Sequence, residues 1–282
     1  MKKSCLVISG LLVLLVIISL FLTLFQKSIP LRSRLALIRI EGPIMDSKDA
    51  VDEIKEYTKD SSIKAIVLRV DSPGGAVAPS QEIYEEVKKA AAEKPVVVSM
   101  GSVAASGGYY ISSPATRIIA NPGTLTGSIG VIMELPNLEG LMNKIGIRTE
   151  VIKSGKHKDI ASAFRSMGKE EREILQGVMD NVHEQFMKAV AEGRKISIED
   201  VRKIADGRIF TGEQAKTLGL VDELGTGEDA IKTAATLAGI KEEPEVVSKT
   251  DKLSFIDILR NKFPREMVDI FPTVKIKYLF SP

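Results

Sequence analysis

Hydrophobic residues between positions 35 and 153 fall into short runs rich in β-branched side chains, which is typical of buried strands. The stretches between these runs repeat apolar residues every three or four positions, which predicts amphipathic helices. Strands that alternate with helices favour βαβ units, right-handed crossovers and a mostly parallel, buried sheet. Strands are predicted at 35–41, 65–71, 96–100, 117–120 and 146–153, and helices at 47–57 and 79–93.

The pattern becomes mainly helical after residue 169. Residues 170–194 carry a long amphipathic stripe, in which apolar side chains recur at helical spacing. Shorter helices are predicted at 198–205, 212–218, 227–238 and 253–263. The sequence therefore predicts an α/β fold of repeated βαβ units, followed by a C-terminal helical section.

The N-terminal segment departs from this globular pattern. Residues 5–25 contain no charged side chain, and Lys2 and Lys3 precede them. About 21 residues at roughly 1.5 Å each span about 31 Å, which is close to the hydrocarbon thickness of a bilayer. A cleaved signal peptide is the alternative, but no small-x-small site follows the run. We therefore predict a retained transmembrane helix with its N-terminus in the cytoplasm, because cytoplasmic flanks are enriched in positive charge.

These patterns divide the chain into four segments. Residues 1–26 are a cytoplasmic stub and transmembrane anchor, and 27–34 are a juxtamembrane linker. Residues 35–240 are the folded domain, and 241–282 are a more polar tail to which we assign no role. The expected location is the cytoplasmic membrane, crossed once, with the folded domain on the outer side.

Composition and charge exclude several classes of function. The net charge of the 282 residues is +2, and lysines and glutamates are interspersed, so we expect no nucleic-acid partner. A single cysteine excludes an internal disulfide framework. The chain has two histidines and no cluster of histidine and cysteine, so we expect no metal and no other cofactor. If the chain is a hydrolase, a serine with a lysine as base is the economical hypothesis.

Ser106 is the candidate nucleophile. It follows the strand-like run at 96–100 and precedes an apolar helix, in the segment GSVAASGGYY. A hydroxyl at a helix start lies at the positive end of the helix dipole, where negative charge is stabilised. The alternative is an ordinary N-cap serine. The segment is not a Gly-x-Ser-x-Gly elbow, because Ala104 replaces the first glycine.

Lys158 is the candidate base, although its neighbours offer alternatives. Lys153 and Lys156 lie close in sequence, as in a solvated basic patch, and His157 with Asp159 would form a conventional base pair. An ordinary lysine has a pKa of about 10.4 and is charged at pH 7. A lysine base therefore requires a buried, apolar site, which lowers the pKa of the amine.

The segment DSPGG at 71–75 ends a predicted buried strand with a sharp turn. Its two glycines permit backbone conformations and close approaches that other residues resist. Its N–H groups could therefore face a substrate carbonyl. The alternative is a tight turn that binds no ligand.

Together with two further segments, these motifs carry a resemblance to a known family. The segments are DSPGG at 71–75, MGSVAASGGYYISSPATRIIANPGTLTGSIGVI at 100–132, IKSGKHKD at 152–159 and DGRIFTGEQAKTLGLVDELG at 206–225. They closely resemble the short, membrane-anchored form of signal peptide peptidase A, over residues 35–238. The resemblance implies a serine peptidase on the crotonase-like fold, related to the caseinolytic-type proteases.

The resemblance also implies a role for each candidate residue. Ser106 matches the nucleophile and Lys158 the base, while the amides of Gly75 and Gly107 match the oxyanion hole. Ser128 matches the serine that orients the lysine. The implied function is a serine endopeptidase that degrades cleaved signal peptides and other apolar peptides at the outer membrane face. The implied partners are peptide substrates, the lipid bilayer and further copies of the chain; whether Ser106 and Lys158 meet within one chain stays open.

Three other functions remain as alternatives at this point. A stomatin-directed membrane serine peptidase shares the fold and the serine–lysine pair but acts on a different substrate. A crotonase-like acyl-CoA enzyme uses a similar amide hole to bind a thioester. A non-catalytic scaffold would bind peptides without cleaving them.

Overall fold

The computed structural model describes residues 33–249 and the strand Ile276–Leu279, together with Leu14, Ile18 and Ser19 of the N-terminal segment. The predicted transmembrane helix at 5–25 therefore lies outside the described residues, apart from those three positions. The helix predicted at 253–263 also lies outside them. Within the described part of the chain, every helix is too short or too polar to cross a membrane.

The strands and helices alternate along the first half of the chain, as the hydrophobic pattern predicts. The strands are β1 (Arg34–Glu41), β2 (Ile63–Ser72), β3 (Gly74–Ala76), β4 (Val96–Ala105), β5 (Arg117–Ala120), β6 (Leu125–Gly127), β7 (Ile132–Met133), β8 (Ile209–Thr211), β9 (Glu223–Leu224), β10 (Glu245–Val247) and β11 (Ile276–Leu279). The helices are α1 (Lys48–Lys59), α2 (Val77–Glu93), α3 (Gly107–Ser112), α4 (Glu139–Lys144), α5 (Lys169–Arg194), α6 (Ile198–Ile204), α7 (Gly212–Thr217) and α8 (Gly227–Leu237).

The main sheet is mostly parallel. Its strand order is β10-β1-β2-β4-β5-β9, and all of these neighbours pair in parallel. Strand β6 pairs in parallel with the end of β4, and its other edge pairs antiparallel with β8. The predicted α/β fold with a mostly parallel sheet is confirmed.

Both faces of the sheet are covered by helices, which explains why its strands read as nearly continuous apolar runs. Along β2, Ile66 and Leu68 point into a large core that also contains residues of α1, α2, α3 and α5. Ala65 and Val67 alternate with them and point into a smaller core with Ala230 of α8. Full burial of a valine, leucine or isoleucine side chain stabilises the fold by about 1.5–3 kcal/mol.

Two strand predictions differ from the structure. Strand β4 continues to Ala105, five residues beyond the predicted end at 100, and so delivers the chain directly to Ser106. The strand predicted at 146–153 is wrong, because these residues are irregular. Ile152 in this segment is fully exposed. Its β-branched residues fit a strand by composition, but among the residues that the structure describes they pair with no neighbouring strand.

Candidate active site

Ser106 occupies the single residue between the end of β4 and the start of α3. Its backbone has φ 53° and ψ −117°, a conformation that residues other than glycine rarely adopt. Two main-chain hydrogen bonds hold it there: its N–H donates to Gly127 O at 2.8 Å, and Tyr110 N–H donates to its carbonyl at 2.8 Å. The strand-to-helix turn that the sequence predicts is therefore tight and strained.

The Ser106 hydroxyl is buried and makes no hydrogen bond within the described part of the chain. In particular, it accepts none from the first turn of α3, so it does not cap that helix as an N-cap serine would. A buried hydroxyl without a partner costs about 1–3 kcal/mol. Such a group is uncommon in native proteins, and it is available to a reacting molecule.

The N–H of Gly75 points away from Ile44. Ile44 N–H donates to Gly74 O at 2.9 Å, and Ala76 N–H donates to Ile44 O at 2.7 Å. Because successive peptide groups of a strand alternate in direction, the N–H of Gly75 faces the opposite side. That side is the edge of β3 along which β11 pairs.

Gly107 and Gly75 are neighbours, and both positions require glycine. A methyl group on Gly107 would lie 2.7 Å from Ser80 Oγ and 3.1 Å from Gly75 N. A methyl group on Gly75 would lie 2.0 Å from the carbonyl oxygen of Ile44. The main chain of Gly75 therefore lies against Gly107, the residue that follows Ser106, and the oxyanion hole formed by their amides stays a prediction.

A second, small sheet is built on the same glycine strand. Strand β11 pairs antiparallel with β3, with Tyr278 opposite Gly75. Its other edge pairs antiparallel with β7, where Lys277 lies opposite Ile132. An extended segment of backbone thus lies between β3 and β7, alongside the Gly75 amide.

Ser128 lies at the end of the strand next to Ser106. Strand β6 pairs with the last residues of β4, which places Ala105 opposite Gly127. Ser128 follows Gly127, is buried, has φ 50°, and donates its N–H to Arg208 O at 2.8 Å. Ser128 and Ser106 therefore follow the paired ends of two neighbouring strands. The role of Ser128 towards the lysine stays a prediction.

Lys158 lies in an exposed loop of consecutive turns, which follows the irregular segment at 146–153. Its N–H donates to Gly155 O at 3.1 Å, and Ile160 N–H donates to His157 O at 3.0 Å. The Ser106 hydroxyl has no hydrogen-bond partner in the described residues, so the two predicted catalytic groups are not joined within one chain. The structure therefore unites Ser106, the two amides and Ser128, and leaves Lys158 apart from them.

A network of charges fixes the residues around Lys158. Asp159 accepts hydrogen bonds from Arg165 Nε, at 2.8 Å, and from Lys153, and these bonds hold the pKa of its carboxyl well below the usual range. Glu171 accepts from Arg165 and from the Gly168 amide, which lowers the pKa of Glu171 to about 2.

The same network bears on the alternative base pair of His157 with Asp159. His157 Nε2 lies 3.4 Å from Glu170 Oε1, whereas Asp159 is paired with Lys153 and Arg165. The histidine is therefore directed to a different carboxylate. Sequence reasoning missed Arg165 and Glu171; the available signal was an acidic residue in the first turn of the predicted helix at 170–194.

Comparisons with known proteins identify the family to which the sequence is similar. The sequence profile of peptidase family S49 matches residues 88–241, and that of Clp protease matches residues 33–124. The second match shows that the α/β domain is similar to that of Clp proteases, and Ser106 lies in the part that both profiles cover.

Three relatives illustrate the range of the similarity. A Synechocystis protein named as a candidate protease is 48% identical over 210 residues, 74% of this chain and 76% of that protein. Protease 4 of Salmonella typhi is 41% identical over 218 residues, 74% of this chain but 35% of its own length. A protein of Enterococcus faecium named as a candidate signal peptide peptidase SppA is 36% identical over 204 residues, 72% of this chain and 59% of its own length.

The family profile covers more than half of the chain, and the Synechocystis relative is matched over most of its length. Both matches include the turn that carries the buried serine. The chain belongs to peptidase family S49 and is an SppA-type serine peptidase.

Proposed function

We propose that the protein is a membrane-anchored serine endopeptidase with Ser106 as nucleophile and Lys158 as general base. The observation that carries this proposal is the Ser106 hydroxyl. It is buried on a strained turn next to Gly75 and Gly107, and it has no hydrogen-bond partner among the described residues. Strained backbone and unsatisfied polar groups of this kind concentrate at active sites.

The chemistry follows from these groups. The neutral amine of Lys158 takes the proton of the Ser106 hydroxyl as Oγ attacks the scissile carbonyl carbon. The carbonyl oxygen becomes an oxyanion, which the N–H groups of Gly75 and Gly107 stabilise. Loss of one such donor lowers kcat by about 10²–10³-fold in comparable enzymes. The lysine then returns the proton to the leaving amine, and a water activated in the same way hydrolyses the acyl-enzyme.

The small sheet supports an extended peptide as substrate. Strand β11 lies antiparallel beside β3, with Tyr278 opposite Gly75. An extended peptide that replaced β11 would pair with the same edge and place a carbonyl beside the Gly75 amide. Strand addition to an exposed edge is a general mode of peptide recognition, because main-chain hydrogen bonds provide affinity for many sequences.

Association of several copies would complete the site. Lys158 is exposed in one chain, whereas a lysine acts as a base only when water is removed and the neutral amine is favoured. The segment that carries it also exposes many large apolar side chains, which marks an interaction surface. They are Leu141, Ile145, Ile147, Val151, Ile152 and Phe164. We therefore include in the proposal a homo-oligomer in which a second copy covers this segment.

The proposed location and substrates rest on the sequence. The uncharged run at 5–25 and the lysines before it support an anchor in the cytoplasmic membrane with the peptidase domain outside. An outward-facing peptidase beside the membrane suits cleaved signal peptides and other apolar peptides. The resemblance to signal peptide peptidase A supports the same substrates.

The test is hydrolysis of an apolar fluorogenic peptide by the full-length protein in detergent. Ser106→Ala and Lys158→Ala are each expected to lower kcat by at least about 10³-fold, since both groups act in one step. His157→Ala, the neighbouring control, is expected to stay within about threefold of wild type. A serine-directed acylating probe should label wild type and not Ser106→Ala. An active Lys158→Ala with an inactive His157→Ala would contradict the assignment of the base.

Mixing the two inactive variants tests the shared site. If Ser106 of one copy meets Lys158 of another, co-assembled Ser106→Ala and Lys158→Ala chains regain part of the activity. If both groups belong to one chain, every mixed assembly stays inactive. The second result, together with a monomeric mass in detergent, would contradict the homo-oligomer.

A further inference from the structure

The loop that carries Lys158 depends on side-chain contacts for its position. It contains neither a helix nor a strand, and Ala161 within it has φ 67°, a conformation that side chains disfavour. Its local hydrogen bonds, such as Ser162 N–H to Asp159 O at 3.0 Å, close turns within the loop only. Something outside the loop must fix it relative to the domain.

Arg165 makes one such connection, alongside the contacts of Lys156 and His157 with Glu170 of α5. Its Nε donates to Asp159 Oδ2 at 2.8 Å, and its Nη2 donates to the Asp159 carbonyl at 3.2 Å. The other side of the guanidinium faces Glu171, where Nη1 donates to Oε2 at 2.8 Å and Nη2 contacts Oε1. A planar fork that binds two carboxylates at once gives a defined geometry, which a lysine could not reproduce.

Glu171 joins Arg165 to a helix that is packed into the core. It lies in the first turn of α5, where its carboxylate also accepts the Gly168 N–H at 3.0 Å. Helix α5 is anchored further along by Phe186 and Val190, which are fully buried in the large core. The Asp159 and Glu171 side chains are only 12% and 11% exposed, so solvent weakens these ion pairs less than it weakens surface pairs.

The network also controls the charge beside Lys158. Asp159 follows Lys158 directly, and an unpaired carboxylate there would favour the charged ammonium over the neutral amine. Its two oxygens are instead occupied by Lys153 and Arg165. The other charged groups of the loop, Lys156 and His157, face Glu170.

We propose that Arg165 is a positioning residue of the peptidase: it holds the Lys158 loop on α5 and keeps the Asp159 carboxylate away from the Lys158 amine. This inference rests on the proposed role of Lys158 as base. It assigns to Arg165 two separable effects, one on the geometry of the base and one on its protonation. Geometry affects kcat, and protonation affects the pH at which activity appears.

The test measures kcat and the pH midpoint of kcat/KM for four variants of the full-length protein. Arg165→Gln removes the bridge and frees Asp159, so kcat should fall about 10- to 100-fold. The midpoint should rise by roughly one pH unit, because the free carboxylate stabilises the ammonium. Arg165→Lys keeps a cation beside Asp159, so kcat should fall while the midpoint stays near that of wild type.

The remaining two variants separate charge from folding. Asp159→Asn should lower kcat without raising the midpoint, since no carboxylate is left beside the amine. Adding Asp159→Asn to Arg165→Gln should return the raised midpoint to the wild-type value. If Arg165→Gln does not fold, the comparison of Asp159→Asn and Arg165→Lys with wild type still tests the proposal.

Arg202→Gln is the matched control. Arg202 also pairs with a glutamate, Glu184, at 3.1 Å, but it does so on the exposed surface away from the loop. Its kcat and pH midpoint should equal those of wild type. The inference is overturned if Arg165→Gln or Asp159→Asn matches Arg202→Gln in kcat and midpoint. An active Lys158→Ala would instead overturn the proposed function, so the two failures are distinguishable.

Discussion

A single added methyl group at Gly107 tests the proposed oxyanion hole. In Gly107→Ala the new carbon would lie 2.7 Å from Ser80 Oγ and 3.1 Å from both Gly74 Cα and Gly75 N. Ordinary van der Waals contacts between carbon atoms lie near 3.5–4.0 Å. The Ser80 hydroxyl is buried and donates to Ala76 O at 2.9 Å, so it has little freedom to move aside. Strand β3 must therefore shift away from α3 by several tenths of an ångström.

The shift affects activity more than stability. It separates the Gly75 and Gly107 amides, so at least one no longer reaches the oxyanion. We expect kcat to fall about 10²–10³-fold, as for removal of one donor in comparable sites. The extra carbon should also lower the free energy of unfolding by about 1–3 kcal/mol. Steady-state hydrolysis of a fluorogenic peptide measures kcat, and denaturant unfolding measures the free energy of unfolding.

Gly177→Ala provides the control, because the same substitution there meets no atom within 4 Å. Gly177 lies inside α5, where alanine is favoured over glycine by about 1 kcal/mol. This variant should keep full activity and become slightly more stable. A Gly107→Ala protein whose kcat lies within about threefold of the Gly177→Ala protein would refute the assignment of these amides.

Three further predictions follow from the same geometry. Ser106→Gly should raise the unfolding temperature, because glycine adopts φ 53° without strain and no buried hydroxyl remains unpaired; a lower temperature would show that the hydroxyl has a partner. Bonds from Arg165 and Gly168 lower the pKa of Glu171 to about 2, so its ionised form stabilises the fold above pH ~4.3 and this stability is lost as the pH falls towards 2. Acid titration of Glu171→Gln should therefore show a shallower loss over that range, and an unchanged slope would contradict it. Truncation of residues 276–282 removes β11 from the edge of β3, so the KM for a peptide should fall at constant kcat; an unchanged KM would show that β11 and the substrate do not share this edge.

The main sheet could be predicted because buried positions recur regularly along its central strands. The four central strands, β1, β2, β4 and β5, place alternate residues in two different cores, so nearly every position in them is apolar. Flanking glycines, prolines and helical periods then indicate where these strands end. The end of β4 could not be predicted in this way. Its last residues are held by side-chain bonds, from Val103 N–H to Asp71 at 3.0 Å and from Thr126 to Ala104 O at 2.6 Å. Such contacts between distant residues leave no local period.

The same difference between local patterns and contacts made only on folding applies to the candidate site. Ser106, Gly75 and Gly107 belong to short motifs whose backbone demands are local, so the sequence singled them out. The local pattern left an N-cap serine and a ligand-free turn as alternatives, and only the resemblance to a known family supplied their expected roles. The segment at 146–153 was misassigned as a strand, because its apolar residues are not buried within one chain. Arg165 was missed because its importance depends on two carboxylates, one in a loop and one on a helix, and that arrangement exists only after folding.

Two features of the candidate site lower the stability of the domain, and packing around them offsets this loss. The strained turn at Ser106 costs about 1–3 kcal/mol, and its unpaired hydroxyl costs a similar amount. Domains have a net stability of only about 5–15 kcal/mol, so these two terms are a substantial fraction of the total. They are sustained because β4 and α3, on either side of the turn, are buried in the large core through residues such as Met100, Tyr109 and Ile111. The Lys158 loop has no comparable core, and its charges must do the equivalent work through the bridge from Asp159 to Glu171. Ser106, the proposed nucleophile, is thus positioned by packing and Lys158, the proposed base, by electrostatics, so salt and acid should impair the base before they disturb the nucleophile.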